Sequence, residues 1–215
     1  MYMCSKCGLA GCGKGDLEKT LPVCPSKNEE LVAKAKAEYS DPENKLIAHS
    51  AACTEHGGYC VDTRLVEIMK FAKRCGYKKL GLAFCGGLMN EARTVVEVLE
   101  YNGFEVVSAM CKSGSMPKEL IGVEPKDTMS GHPEKEIMCN PIGQAMALNE
   151  QKTEFNILMG LCVGHDTLFL KYAEAPVTVL AVKDRVTAHN PLAAVYTAKS
   201  YNRKKLFPEG GIQID

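Results

Sequence analysis

The stretch Asn156-Ile-Leu-Met-Gly-Leu-Cys162-Val-Gly-His165-Asp166 is a short apolar run that ends in a cysteine, a glycine and two ionisable groups. Its lack of polar alternation predicts a strand covered on both faces, and its polar end predicts side chains delivered to a loop. Two earlier stretches repeat the pattern: Leu80-Gly-Leu-Ala-Phe-Cys85-Gly-Gly and Phe104-Glu-Val-Val-Ser-Ala-Met-Cys111-Lys-Ser-Gly. If these strands are parallel neighbours, their thiols stand at the carboxyl edge of one sheet, where open α/β folds build ligand sites.

From residue 78 onward, strand and helix patterns alternate, with strands at 79–85, 104–110, 155–161 and 176–182 and helices at 89–102, 141–152, 166–174 and 191–205. That order predicts an α/β fold, a doubly wound, mainly parallel sheet of about four strands. Residues 112–136 carry Gly114, Pro117, Gly122, Pro125, Gly131 and Pro133. A loop of this length is expected to act as a lid or border of a site.

Residues 26–77 read as a helical lead-in. One helix starts near Ser26, a possible cap, with Leu31, Val32, Ala35 and Tyr39 on one face; a second starts at Asp41-Pro42; a third runs from Arg64 to Arg74 and stops at Gly76. Cys53, Cys60 and Cys75 in this region read as packing residues.

The first 25 residues differ, since Cys4, Cys7, Cys12 and Cys24 punctuate a glycine-rich segment with few large apolar side chains. Such a segment cannot hold its shape by burial. A tetrahedral ion bound by four thiolates would supply the missing stability, and the spacing suits structural zinc ahead of an iron–sulfur cluster. The expected organisation is a four-cysteine metal knuckle at 1–25 and an α/β domain at 26–215, the latter divided into the lead-in at 26–77 and the sheet at 78–215.

Composition narrows the partners. The 215 residues hold 26 Lys plus Arg against 26 Asp plus Glu. No overall positive field draws the chain to nucleic acid or to an anionic membrane, and no apolar run is long enough to cross a bilayer. A small-molecule ligand is expected, with a protein partner or a second copy as further possibilities. Eleven cysteines imply metal or thiol chemistry in a reducing compartment, so a cytoplasmic location is expected.

The remaining polar groups also fall at strand ends. Cys139 precedes Asn140-Pro141, an N-cap and first helical residue, and a cysteine there is biased towards thiolate. His165 and Asp166 follow the third strand; Lys183-Asp184-Arg185 and His189-Asn190-Pro191 follow the fourth. The expectation is one crevice in which Cys85, Cys111, Cys139 and Cys162 bind a cofactor, and Cys139, His165, Asp166 and His189 form the catalytic set. Soft thiolates suit an iron–sulfur cluster or a second metal; a metal-free nucleophilic or redox thiol would look similar. Gly86 and Gly87 offer N–H groups at a helix start, without the fingerprint of a nucleotide loop.

The N-terminal knuckle, Ala83-Phe-Cys85-Gly-Gly-Leu, Cys111-Lys112, Cys139-Asn-Pro-Ile, Gly160-Leu-Cys-Val-Gly-His-Asp166 and Lys183-Asp-Arg together resemble the uncharacterised metal-binding proteins known as domain of unknown function eighteen forty-seven. The likeness spans nearly the whole chain, and Gly160 to Asp166 is its most specific block. It implies zinc at the N-terminal cysteines and no established activity. Three functions stay open: an enzyme with a metal or cluster at the sheet edge acting on a small molecule, a zinc-stabilised binding or regulatory module, and a thiol redox protein.

Overall fold

The computed structural model describes residues 1–213 and divides into two compact units, Met1–Cys60 and the chain from Val61 onward. Residues 214 and 215, the end of the expected 26–215 domain, lie outside the described residues.

In the first unit, short 3₁₀ turns at Cys4–Lys6, Gly11–Lys14 and Pro25–Lys27 precede helices α1 (Glu29–Glu38) and α2 (Pro42–Gly58). Ser26 is taken up in a turn, so the cap of α1 is Asn28, whose side-chain oxygen accepts from Leu31 N–H at 3.1 Å. Asp41 caps α2 as expected, accepting from Glu43 and Asn44 N–H at 2.9 and 3.0 Å. No residue of α1 is buried, so its apolar face is not part of a core.

The second unit begins with α3 (Arg64–Cys75) and continues as β1 (Lys79–Phe84), α4 (Met89–Tyr101), β2 (Glu105–Met110), α5 (Pro141–Glu150), β3 (Phe155–Leu161), α6 (His165–Tyr172) and β4 (Val177–Val182). The four strands form one all-parallel sheet in the order β2-β1-β3-β4, flanked by helices. The central strands are buried along nearly their whole length, which is why β1 and β3 read as unbroken apolar runs. One core gathers Leu80, Leu82, Leu99, Ile157 and neighbours; a second gathers Ala83, Leu148, Leu158 and Phe169.

Two local irregularities interrupt this regular order. Between Leu158 and Leu161 the β3–β4 register shifts, and Gly160 takes φ +69°. A Cβ there would lie 2.3 Å from Leu88 Cδ1, so the bulge that precedes Cys162 requires glycine. Further on, the helix expected at 191–205 is broken into α7 (Leu192–Tyr196) and α8 (Arg203–Leu206). Thr197 Oγ1 donates to Ala193 O at 2.8 Å and accepts from Asn202 Nδ2 at 2.7 Å, and such side-chain bonds compete with helix continuation.

Candidate functional site

The register pairs Phe84 with Met110, so Cys85 and Cys111 leave the ends of adjacent parallel strands side by side. Cys111 N–H still donates to Phe84 O at 3.0 Å, and Gly86 N–H donates to the Cys111 sulfur at 3.3 Å. Cys139 is brought in from a distant segment: Asn140 N–H donates to Cys111 O at 2.7 Å, and the Asn140 amide donates to Ser113 O at 3.0 Å while capping α5. Behind them Gln144, fully buried on α5, donates from one amide nitrogen to Phe84 O at 3.2 Å and Ala109 O at 2.6 Å. One side chain thus clamps the ends of both cysteine-bearing strands.

The electrostatics of these thiols are those of groups sharing a space. Burial pushes the Cys111 thiol up, the Gly86 N–H pulls against it, and Cys139 and Cys85 add to the rise, which reaches about 11. Cys85 goes the other way. Burial opposes its ionisation, but the Gly87 N–H and the Lys183 ammonium, which donates to its sulfur, together hold it below the ordinary thiol range. Lys183 Nζ lies 3.6 Å from where a Cβ on Gly160 would sit and 3.8 Å from one on Gly87, so bare backbone makes room for it.

Cys162 faces Arg185. Arg185 donates to its sulfur at 3.6 Å, and that bond, together with the nearby Cys162, Cys85 and Cys139 thiols, stabilises the charged guanidinium. His165 and Asp166 follow at the start of α6, both N–H groups donating to Cys162 O. Burial and the Lys112 ammonium lower the His165 pKa and Asp166 pulls it back, so the imidazole is neutral at neutral pH. Asp166 accepts from Thr167 N–H at 2.8 Å. His189 is occupied in its own loop, with Nδ1 accepting from Asp184 N–H at 3.1 Å and its N–H donating to Asp184 O at 2.8 Å.

The structure therefore brings together Cys85, Cys111 and Cys139, with Cys162 and His165 beside cations and His189 committed to a turn. Sequence reasoning places Lys183 and Arg185 at the end of β4 without a task, and gives Gln144 none at all. A strand-terminal lysine facing strand-terminal cysteines is the signal for the first pair; a lone glutamine on a helix gives no signal.

The loop at 112–136 is held at both ends. Pro117 bridges Ile137, Lys118 pairs with Glu136, and the Glu136 carboxylate also accepts from Met129 N–H, Ser130 N–H and Ser130 Oγ. The Lys118 ammonium first, then the Ser130 donors, hold that carboxyl down to about 2.

In the first unit, Cys4, Cys7, Cys12 and Cys24 line one cavity of about 130 Å³. Gly11 is required there, since a Cβ would fall 2.2 Å from Lys19 O. The Ala10 and Leu9 N–H groups lower the Cys7 pKa, and the Ser26 N–H and hydroxyl lower that of Cys24. Among the described residues, no group of three or more His, Cys, Asp or Glu side chains is placed to hold a metal ion. No described helix is long and apolar enough to cross a membrane.

Residues 24–180 match the family model described as protein of unknown function (DUF1847). The chain belongs to that family. It is also 44% identical over 204 residues to the uncharacterized protein MJ0455 of Methanocaldococcus jannaschii, covering 94% of this chain and 97% of that one. No solved structure matches. The family match takes in all four sheet-edge cysteines of this DUF1847 member and, of the N-terminal four, Cys24.

Proposed function

We propose that the carboxyl edge of the sheet is a thiolate site for a small anionic molecule, with Cys85, Cys111 and Cys139 as donors to a soft metal ion or iron–sulfur cluster, and that the N-terminal cysteines hold a structural zinc. The observation that carries the reading is the meeting of these thiols from separate chain segments beside Lys183 and Arg185. Soft donors of this kind suit zinc or iron–sulfur chemistry. The donor sets fit in kind; bringing them to bonding distance would be coupled to binding, as is usual for metal sites. A centre bound there would supply Lewis-acid or electron-transfer chemistry. The residues of the chain would do the rest: Lys183 and Arg185 attract and orient an anion, neutral His165 accepts or passes a proton, and the tethered 112–136 segment borders the site. A cysteine-rich protein of this kind suits a reducing compartment, the cytoplasm.

Protein prepared without oxygen and assayed for zinc, iron and acid-labile sulfide tests this. Cys7→Ser should lose about one zinc per chain, and Cys111→Ser should lose a separate metal or cluster. Unchanged metal content in Cys111→Ser would refute the sheet-edge half.

A second reading, a metal-free reactive thiol, is favoured by the Lys183–Cys85 contact. It requires that Lys183→Met slow Cys85 alkylation at neutral pH about three- to tenfold in metal-free protein.

A further inference from the structure

Helix α2 carries a set of soft donors that neither the core nor the two cysteine sites use. His49, Cys53 and His56 stand at positions i, i+4 and i+7, and Cys60 at i+11, two residues past the helix end. At 3.6 residues per turn the three helical positions, His49, Cys53 and His56, fall within an arc of about 60°, while Cys60, at φ +58°, lies beyond the helical repeat. The packing face of the helix is a different one: its buried residues are Ser50, Thr54 and Gly58. His49, His56 and Cys60 are exposed and Cys53 is half-buried, so the reading of Cys53 and Cys60 as core residues does not hold.

Two of these groups already lean together. The Cys53 sulfur lies 3.8 Å from His49 Nε2. Sulfur and nitrogen ligands bound at about 2.3 and 2.0–2.1 Å to one tetrahedral ion stand about 3.6 Å apart. The pair is therefore near the bite of a single cation. His56 lies three residues beyond Cys53 on the same face, and its exposed ring would turn about its side-chain bonds to complete the set on binding. Of the set, His56 sits in the last turn of α2, where the helix dipole favours positive charge.

We propose that His49, Cys53 and His56 form a surface site for a divalent cation of the zinc class, with Cys60 or water as the remaining ligand. Imidazole and thiolate select zinc, cobalt or nickel over calcium or magnesium. The site lies wholly within the Met1–Cys60 unit and is independent of the sheet-edge thiolates and of the N-terminal zinc.

The test uses zinc itself and the full chain. Iodoacetamide labelling is followed by mass spectrometry of the tryptic peptide 46–64, which holds Cys53 and Cys60, with Cys75 as the internal reference. Zinc added to chelator-stripped protein should slow Cys53 labelling at least about tenfold and leave Cys75 unchanged. His49→Ala should restore the metal-free rate, and His56→Ala should weaken the protection. Alanine is the best helix former, so circular dichroism should show both variants intact. Equal Cys53 labelling with and without zinc, or undiminished protection in His49→Ala, would overturn the proposal. Because the readout is at Cys53, loss of zinc from the N-terminal knuckle leaves it legible.

Discussion

The two cysteine clusters are built by opposite means. At the N-terminus Cys4, Cys7, Cys12 and Cys24 come from one continuous segment of turns, and the unit that holds them buries few apolar side chains. At the sheet edge Cys85, Cys111 and Cys139 come from segments far apart in sequence, and β1, β2, Asn140 and Gln144 hold them in place. The first cluster rests on local turn geometry; the second is set by a packed core. Four perturbations separate the two.

The largest effect is expected from stripping metal. A chelator should speed proteolysis within residues 1–25 by an order of magnitude or more, since the proposed zinc stands in for the core this segment lacks. The sheet unit should keep its cooperative urea unfolding, its midpoint lowered only by the binding free energy of the metal proposed at its edge. A matching loss in the sheet unit would erase the distinction.

Gly160→Val comes next. It forces a side chain into Leu88 at a positive φ, and should cost about 3–5 kcal/mol in urea unfolding of the sheet unit. Accessibility of the N-terminal thiols to alkylation should stay the same.

Gln144→Leu should cost about 1–3 kcal/mol, because the Phe84 and Ala109 carbonyls lose a buried donor. It should also loosen Cys85 relative to Cys111, seen as unequal alkylation of the two. Equal stability and reactivity would show that the sheet alone positions them.

The smallest effect concerns the 112–136 border. Glu136 titrates at about 2 in the folded chain against an ordinary 4.5. A depressed folded pKa means that its support is complete above the ordinary carboxylate range and is lost as pH falls from about 4.5 towards 2. Limited proteolysis of the segment at descending pH should show that loss in the native chain and a flat profile in Glu136→Gln.

Much of the sheet was legible because β1 and β3 are covered on both faces and therefore read as plain apolar runs. The strand-end cysteines followed from that, since a parallel sheet puts corresponding ends on one edge. Legibility failed where local polar bonding or distant packing decides. Thr197 and Asn202 break the last expected helix by bonding to backbone and to one another. Asn28 takes the cap expected of Ser26 because Pro25–Lys27 closes its own turn. Gln144 clamps two strands that lie 35 and 60 residues away in sequence, a relation no spacing rule reveals. The Asp184 turn, closed by the His189 ring through Nδ1, is likewise a local bond that the spacing after the strand does not announce.

The convergence of Cys85, Cys111 and Cys139 can be measured directly with the arsenical arsenite, whose three hydroxyls leave as water when three thiols a few ångströms apart each form an As–S bond. The cysteines fall in separate tryptic peptides, 80–93, 94–112 and 136–152, so iodoacetamide labelling reports each one. In metal-free protein, one equivalent bound at the sheet edge should shield all three together, while Cys75 labels freely. Independent labelling of Cys85, Cys111 and Cys139 in the presence of the arsenical would contradict a shared thiolate site.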